Sequence, residues 1–102
     1  MKLKAGTRVK SAVCATEVMV TQAPDADVDL RCGGAPVLAM TEQPAPGGSV
    51  AASAAAGTQI GKRYVNAEAT LELLCTKPGK GSLGVGDALL VLKEAKPLPA
   101  SD

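Results

Sequence analysis

Histidine, phenylalanine and tryptophan are all missing from this 102-residue chain, and Tyr64 is its single aromatic residue. Each gap removes a class of function. A Ser or Cys nucleophile ordinarily needs a neighbouring base, most often His. With no His, and no spacing that marks a Lys or carboxylate as its substitute, the chain is expected not to be an enzyme. Nucleic acid is held by a basic stripe with stacking aromatics. Here the net charge is +1, spread along the sequence, so nucleic acid is not an expected partner. No segment approaches the roughly 20 apolar residues of a membrane-spanning helix. The N-terminal "MKLKAGTRVK" also lacks the apolar run of a signal peptide. The sequence reads as cytoplasmic, with no membrane partner. Three cysteines, an odd number in a reducing compartment, argue against a disulfide framework.

The scarcity of rings also thins the core. Hydrophobic residues make up 46% of the chain, but alanine supplies much of that count, so Leu, Val, Ile and Met must do the packing. Aromatic side chains bury about 150–250 Å² each, and ordering the backbone costs roughly 1–2 kcal/mol per residue. Burying further surface against a second copy would offset part of that cost, and a homo-oligomer is expected.

What is present is strand pattern. Thr7 to Gln22 is rich in Val and Thr and reads as one long strand, or two broken near Ala15. Arg8 and Lys10 share the parity of Val18 and Val20, which calls for a bulge or turn between Lys10 and Val18. After the turn residues of "APDAD", Val28, Leu30 and Cys32 fall on one face and Asp27, Asp29 and Arg31 on the other. Gly33 and Gly34 then lead into "APVLAM", a further short strand. "ATLELLC" places Leu71, Leu73 and Cys75 on one face. "SLGV" and "ALLVL", joined by Gly86-Asp87, read as a hairpin, with a helix over 88–96 as the rival reading. The stretch 44–59, "PAPGGSVAASAAAGTQ", has no charge and little bulk and is expected to be a flexible low-complexity loop. Residues 97–102 are expected to be an extended tail. Together these features indicate a single all-β domain over 1–102. Its expected form is a small barrel or sandwich of short antiparallel strands carrying one long Ala/Gly/Pro/Ser loop.

Two motif matches fail on context. "GKGSLG" fits the dinucleotide-binding glycine pattern, but a nucleotide-binding unit needs a helix on those glycines and an acidic residue about 20 residues later, and the chain has no room for it. "DADVD" begins like a calcium loop, yet the sixth position is Leu30 and the twelfth Pro36, where Gly and Glu are required.

The cysteines are the remaining chemical feature. "VDLRCGG" and "LELLCTKPG" share one grammar, apolar-x-apolar-x-Cys followed by turn residues, while the facing of Cys14 in "AVCATEV" is ambiguous. Unrelated core thiols are one reading, because free Cys packs as a small hydrophobe. Another is a thiolate metal site of Cys14, Cys32 and Cys75, for zinc with Glu17, a water or a symmetry-related group as fourth ligand, or for copper(I) as a three-sulfur site; the absence of a C-x-x-C pair weakens it. Thiol redox chemistry is a third, since Arg31 adjoins Cys32 and Lys77 and Lys80 follow Cys75, and nearby positive charge favours the thiolate. A self-assembling interaction module working through sheet edges is the fourth. The overall expectation is a small non-enzymatic binding or accessory module whose best candidate site is the cysteine set.

Overall fold

The computed structural model describes residues 2–44, 48–86 and 88–93. The Val- and Thr-rich run folds as two strands, β1 (Arg8–Lys10) and β2 (Glu17–Gln22), joined by a turn. The turn resolves the parity conflict. Val9 lies opposite Val18 in the antiparallel register with both buried, whereas Arg8 lies opposite Met19 and stays exposed.

β3 (Leu30–Cys32) continues the alternation that begins at Val28, with Leu30 and Cys32 inward and Arg31 outward. Cys32 lies opposite Ala35 across a two-residue turn, so Gly33 and Gly34 are its central pair, with φ of 68° and 86°. A tight hairpin turn with positive φ at both central positions is where Gly-Gly costs least. "APVLAM" then divides. β4 (Ala35–Pro36) stays with β3, while β5 (Leu38–Ala39) crosses to β1, with buried Val37 between them.

β6 (Arg63–Val65) is a strand that hydrophobic alternation does not single out, because it carries only one fully buried residue, Tyr64. The Tyr64 hydroxyl accepts a hydrogen bond from the Gln59 N–H at 3.0 Å. β7 (Glu72–Lys77) carries Leu73 and Cys75 inward as its parity demands. β8 (Leu83–Val85) and β9 (Ala88–Leu89) form the hairpin, with Val85 opposite Ala88, and β10 (Val91–Leu92) pairs with β6. Residues 88–92 are therefore extended, not helical. Asp87, residues 94–96 of the rival helix and the 97–102 tail lie outside the described residues.

The described strands form two antiparallel sheets, in the orders β10-β6-β7-β2-β1-β5 and β4-β3-β8-β9. Neither closes into a barrel; each keeps two edge strands. Both sheets feed one core. Val9, Val18, Val20, Tyr64, Leu73 and Cys75 come from the larger sheet and Leu30, Cys32 and Leu83 from the smaller. No helix is long and apolar enough to cross a membrane among the described residues.

Part of the low-complexity stretch carries main-chain hydrogen bonds, and its residues 45–47 lie outside the described residues. Residues 51–58 form a strap tied to its surroundings by backbone. The Ala51 N–H donates to Gly33 O at 2.9 Å, Ser82 N–H to Ala54 O at 2.7 Å, and Thr58 N–H to Gly79 O at 3.0 Å. Ala56 N–H donates to Ser82 Oγ at 2.9 Å, and Ala54 is only 5% exposed. Small side chains let this backbone approach close enough to bond. What the stretch lacks in apolar bulk it replaces with main-chain hydrogen bonds.

Candidate functional site

Cys14 sits in the turn between β1 and β2, and a serine builds that turn. Ser11 Oγ accepts hydrogen bonds from the N–H groups of Val13 and Cys14, both at 3.1 Å. This is a local side-chain-to-backbone turn, a structure that Ser at such a position favours. It presents the Cys14 thiol to three neighbours. Sγ lies 3.1 Å from Ser11 Oγ, 3.3 Å from Thr16 Oγ1 and 3.9 Å from the sulfur of Cys32. The larger sheet supplies one thiol and the last residue of β3 in the smaller sheet supplies the other.

Two glycines close the site from a third segment. A Cβ on Gly79 would overlap Thr16 Oγ1 and come within 3.1 Å of Cys14 Sγ. One on Gly81 would lie 2.8 Å from the Gly33 backbone and 3.2 Å from the same sulfur. Their missing side chains are what admits the 78–82 loop against the thiols. Hydroxyls complete the arrangement. Thr16 Oγ1 and Thr58 Oγ1 share a hydrogen bond at 2.9 Å, and Thr58 Oγ1 accepts from Gly79 N–H at 3.1 Å. The strap is thus joined to Cys14 through Thr58 and Thr16.

The two thiols differ in character. Burial pushes the Cys14 pKa up, but hydrogen bonds from the Ser11 and Thr16 hydroxyls and the backbone N–H groups of Thr16 and Gly81 outweigh it, leaving the value lowered from 9.0 to about 7. Cys32 is fully buried, and desolvation, then the charge of a neighbouring Cys14 thiolate, raises it to about 11. Arg31 does not counter this, contrary to the expectation that it favours the Cys32 thiolate. On a strand, neighbours point to opposite faces, and the Arg31 guanidinium is engaged by Asp29 Oδ2 at 3.1 Å and Gly34 O at 3.3 Å.

Cys75, the third candidate, stands apart in its bonding. It is 1% exposed, lies opposite Val18 in the middle of the larger sheet, and its thiol donates to Lys77 O at 3.2 Å. Glu17, named as a fourth ligand, faces Lys77 Nζ at 3.9 Å. Among the described residues no group of three or more Cys, Asp or Glu side chains is placed to hold a metal ion. Sequence pattern found Cys32 and its facing but not its partnership with Cys14. The signal that bears on it is Ser11 and Thr16 flanking Cys14 inside a broken strand.

The arrangement sets a thiol whose pKa is lowered to about 7 at 3.9 Å from a second whose pKa is raised to about 11. Compared with known protein families, with curated proteins and with solved structures, the chain gives no match.

Proposed function

We propose that the chain is a small non-enzymatic accessory module that works as a reversible dithiol through Cys14 and Cys32. The 3.9 Å separation of the two sulfurs supports this reading most directly. The lowered value of Cys14 adds to it, because the thiolate is the attacking species and a thiol with a pKa near ambient pH attacks best. In the proposed step the Cys14 thiolate attacks a disulfide RSSR, forming a Cys14–SR bond and releasing RS⁻. Cys32 then gives up its proton, attacks Cys14 Sγ and releases the second RS⁻. Two protein thiols become one disulfide, and two electrons and two protons pass to RSSR to give two RSH. A disulfide bond is about 2.05 Å long, so closure brings the sulfurs together by roughly 2 Å.

Oxidation of the folded protein with a glutathione redox buffer, acid quench, alkylation and peptide mapping tests this. The expected product keeps one free thiol, at Cys75, and maps a bond between Cys14 and Cys32. Three free thiols after oxidation, or a bond that includes Cys75, would overturn it.

Zinc or copper(I) is the second reading, and the same separation favours it. Two thiolates on a tetrahedral zinc, each at about 2.3 Å, stand about 3.8 Å apart, against 3.9 Å here. Water or a second copy would supply the remaining ligands. Stoichiometric metal in wild type and Cys75→Ser but not in Cys14→Ser would favour this reading over the redox one; metal-free protein after reconstitution would end it.

The proposal carries a sandwich arrangement of the two open sheets, a cytoplasmic location that keeps the pair reduced, and self-association. Edge strand β10 leaves Val91 60% and Leu92 40% exposed, and an unpaired edge is a template for a second chain. A monomer by light scattering at micromolar concentration would remove the self-association.

A further inference from the structure

Strand β3 separates two kinds of chemistry. Cys32 points into the core, and on the opposite face, beside Arg31, a cleft of about 450 Å³ opens. That lies within the roughly 300–1,000 Å³ of small-molecule sites. Gly84 forms its floor, lying opposite Arg31 on β3 and opposite Leu89 on β9. The two long side chains therefore stand on either side of a position with no side chain. The strap supplies the third wall with Ala51 and Ser53, and Ser82, 8% exposed, also lines the cleft. Ser82 Oγ accepts from Ala56 N–H at 2.9 Å, which leaves its own proton to donate.

Arg31 is fixed at two points, its Nε bonded to Asp29 Oδ2 and its Nη1 to Gly34 O. A guanidinium has five N–H donors in a planar fork, so three remain, oriented in advance. Fixing the fork beforehand removes much of the entropy lost when it binds an acid. Asp29 offsets part of its charge, and no second cation lines the cleft among the described residues. The cleft therefore suits one negative charge better than two. Its other wall is Leu89, 50% exposed, an apolar surface that a ligand tail would cover.

We propose that this cleft binds a small carboxylate with a short apolar tail, the acid on Arg31 and Ser82 and the tail between Leu89 and Ala51. Arg31 and the Cys32 thiol lie on opposite faces of β3, while the strap and Ser82 line the cleft and also border the thiol junction.

Amide-resolved NMR titration with hexanoate, hexanamide, acetate and inorganic phosphate tests it. Hexanoate is expected to give saturable shifts at Ser53, Gly84, Gly86 and Leu89, with hexanamide weaker by about tenfold or more, the worth of hydrogen bonds to a charged group. Arg31→Gln is expected to lose the same factor. Leu89→Ala should weaken hexanoate while leaving acetate unchanged, and Cys14→Ser should bind as wild type. Equal binding of hexanoate and hexanamide would overturn the proposal, as would phosphate binding as tightly as hexanoate or no saturable shift at millimolar concentration. An unchanged affinity in folded Arg31→Gln would also overturn it. If Arg31→Gln fails to fold, the acid–amide comparison on wild-type protein decides.

Discussion

Cys32 and Cys75 end the same local phrase, and the fold gives them opposite company. Val28, Leu30 and Cys32 alternate toward the core as Leu71, Leu73 and Cys75 do, and both thiols are buried. Cys32, however, closes its strand at a hairpin, whereas two more residues of β7 follow Cys75. Cys75 is held within the sheet, its N–H donating to Lys62 O at 3.0 Å and its carbonyl accepting from Gly61 N–H at 2.9 Å. Cys32 sits where the β1–β2 turn, the 78–82 loop and the Gly33-Gly34 turn converge. Parity decides which way a side chain faces. Sheet order and strand ends decide what it meets there.

Glycine substitution should break this contrast most sharply. Gly79→Ala sets a methyl against Thr16 Oγ1 and 2.5 Å from the Thr16 backbone N, so the 78–82 loop must shift from Cys14. Overpacking of this kind costs about 3 kcal/mol, and the urea midpoint should fall accordingly. Beside Cys75, Gly61→Ala meets nothing within 4 Å and suffers only its φ of 78°. That should cost about 1 kcal/mol. Equal losses would mean that the thiol junction is no more tightly packed than an open turn.

The inward facing of both thiols was legible in the sequence, and the contrast between them was not. The alternation of Leu30 and Cys32, the break between Lys10 and Val18, and the hairpin at Gly86 all follow from local rules that the register obeys. The meeting of Cys14 with Cys32 depends instead on a loop more than 60 residues beyond Cys14, at Gly79 and Gly81. Nothing in residues 10–17 encodes that approach. The strap is illegible for a related reason: its hydrogen bonds to Gly33, Gly79 and Ser82 use main-chain atoms, which composition does not register.

Thr58→Val sharpens the comparison at the strap. It removes the acceptor of Gly79 N–H and the partner of Thr16 Oγ1 while leaving the surroundings of Cys75 intact. Leaving such groups unpaired costs about 2 kcal/mol. The Cys14 alkylation rate should change while that of Cys75 does not. Below this in size come Cys32→Ala and Cys75→Ala, which each delete one buried sulfur and should cost similar amounts, about 1 kcal/mol. Only Cys32→Ala should abolish the intramolecular disulfide. If Cys75→Ala abolished it as well, the two thiols would share one site and the contrast would fail.

The finest test is the pH dependence of stability, because the paired thiols pull in opposite directions. Cys14 ionises at about 7 in the folded chain instead of 9.0, so its contribution is full above 9 and is lost as pH falls through 7. Cys32 is raised to about 11, so its contribution is full below 9 and is lost as pH rises through 11. Under reducing conditions the pair therefore predicts stability that climbs from pH 7 to 9 and declines from 9 to 11. The climb should be small, since Cys14 is only partly buried and solvent screens its interactions. The quantity to measure is the difference between variants in urea midpoint against pH. Cys14→Ser should lose the climb, whereas Cys75→Ala should keep it. A wild-type profile that matches Cys14→Ser between pH 7 and 9 would show that the Ser11 and Thr16 hydrogen bonds do not favour the thiolate. Cys14 would then be an ordinary thiol, and the difference between Cys32 and Cys75 would reduce to proximity alone.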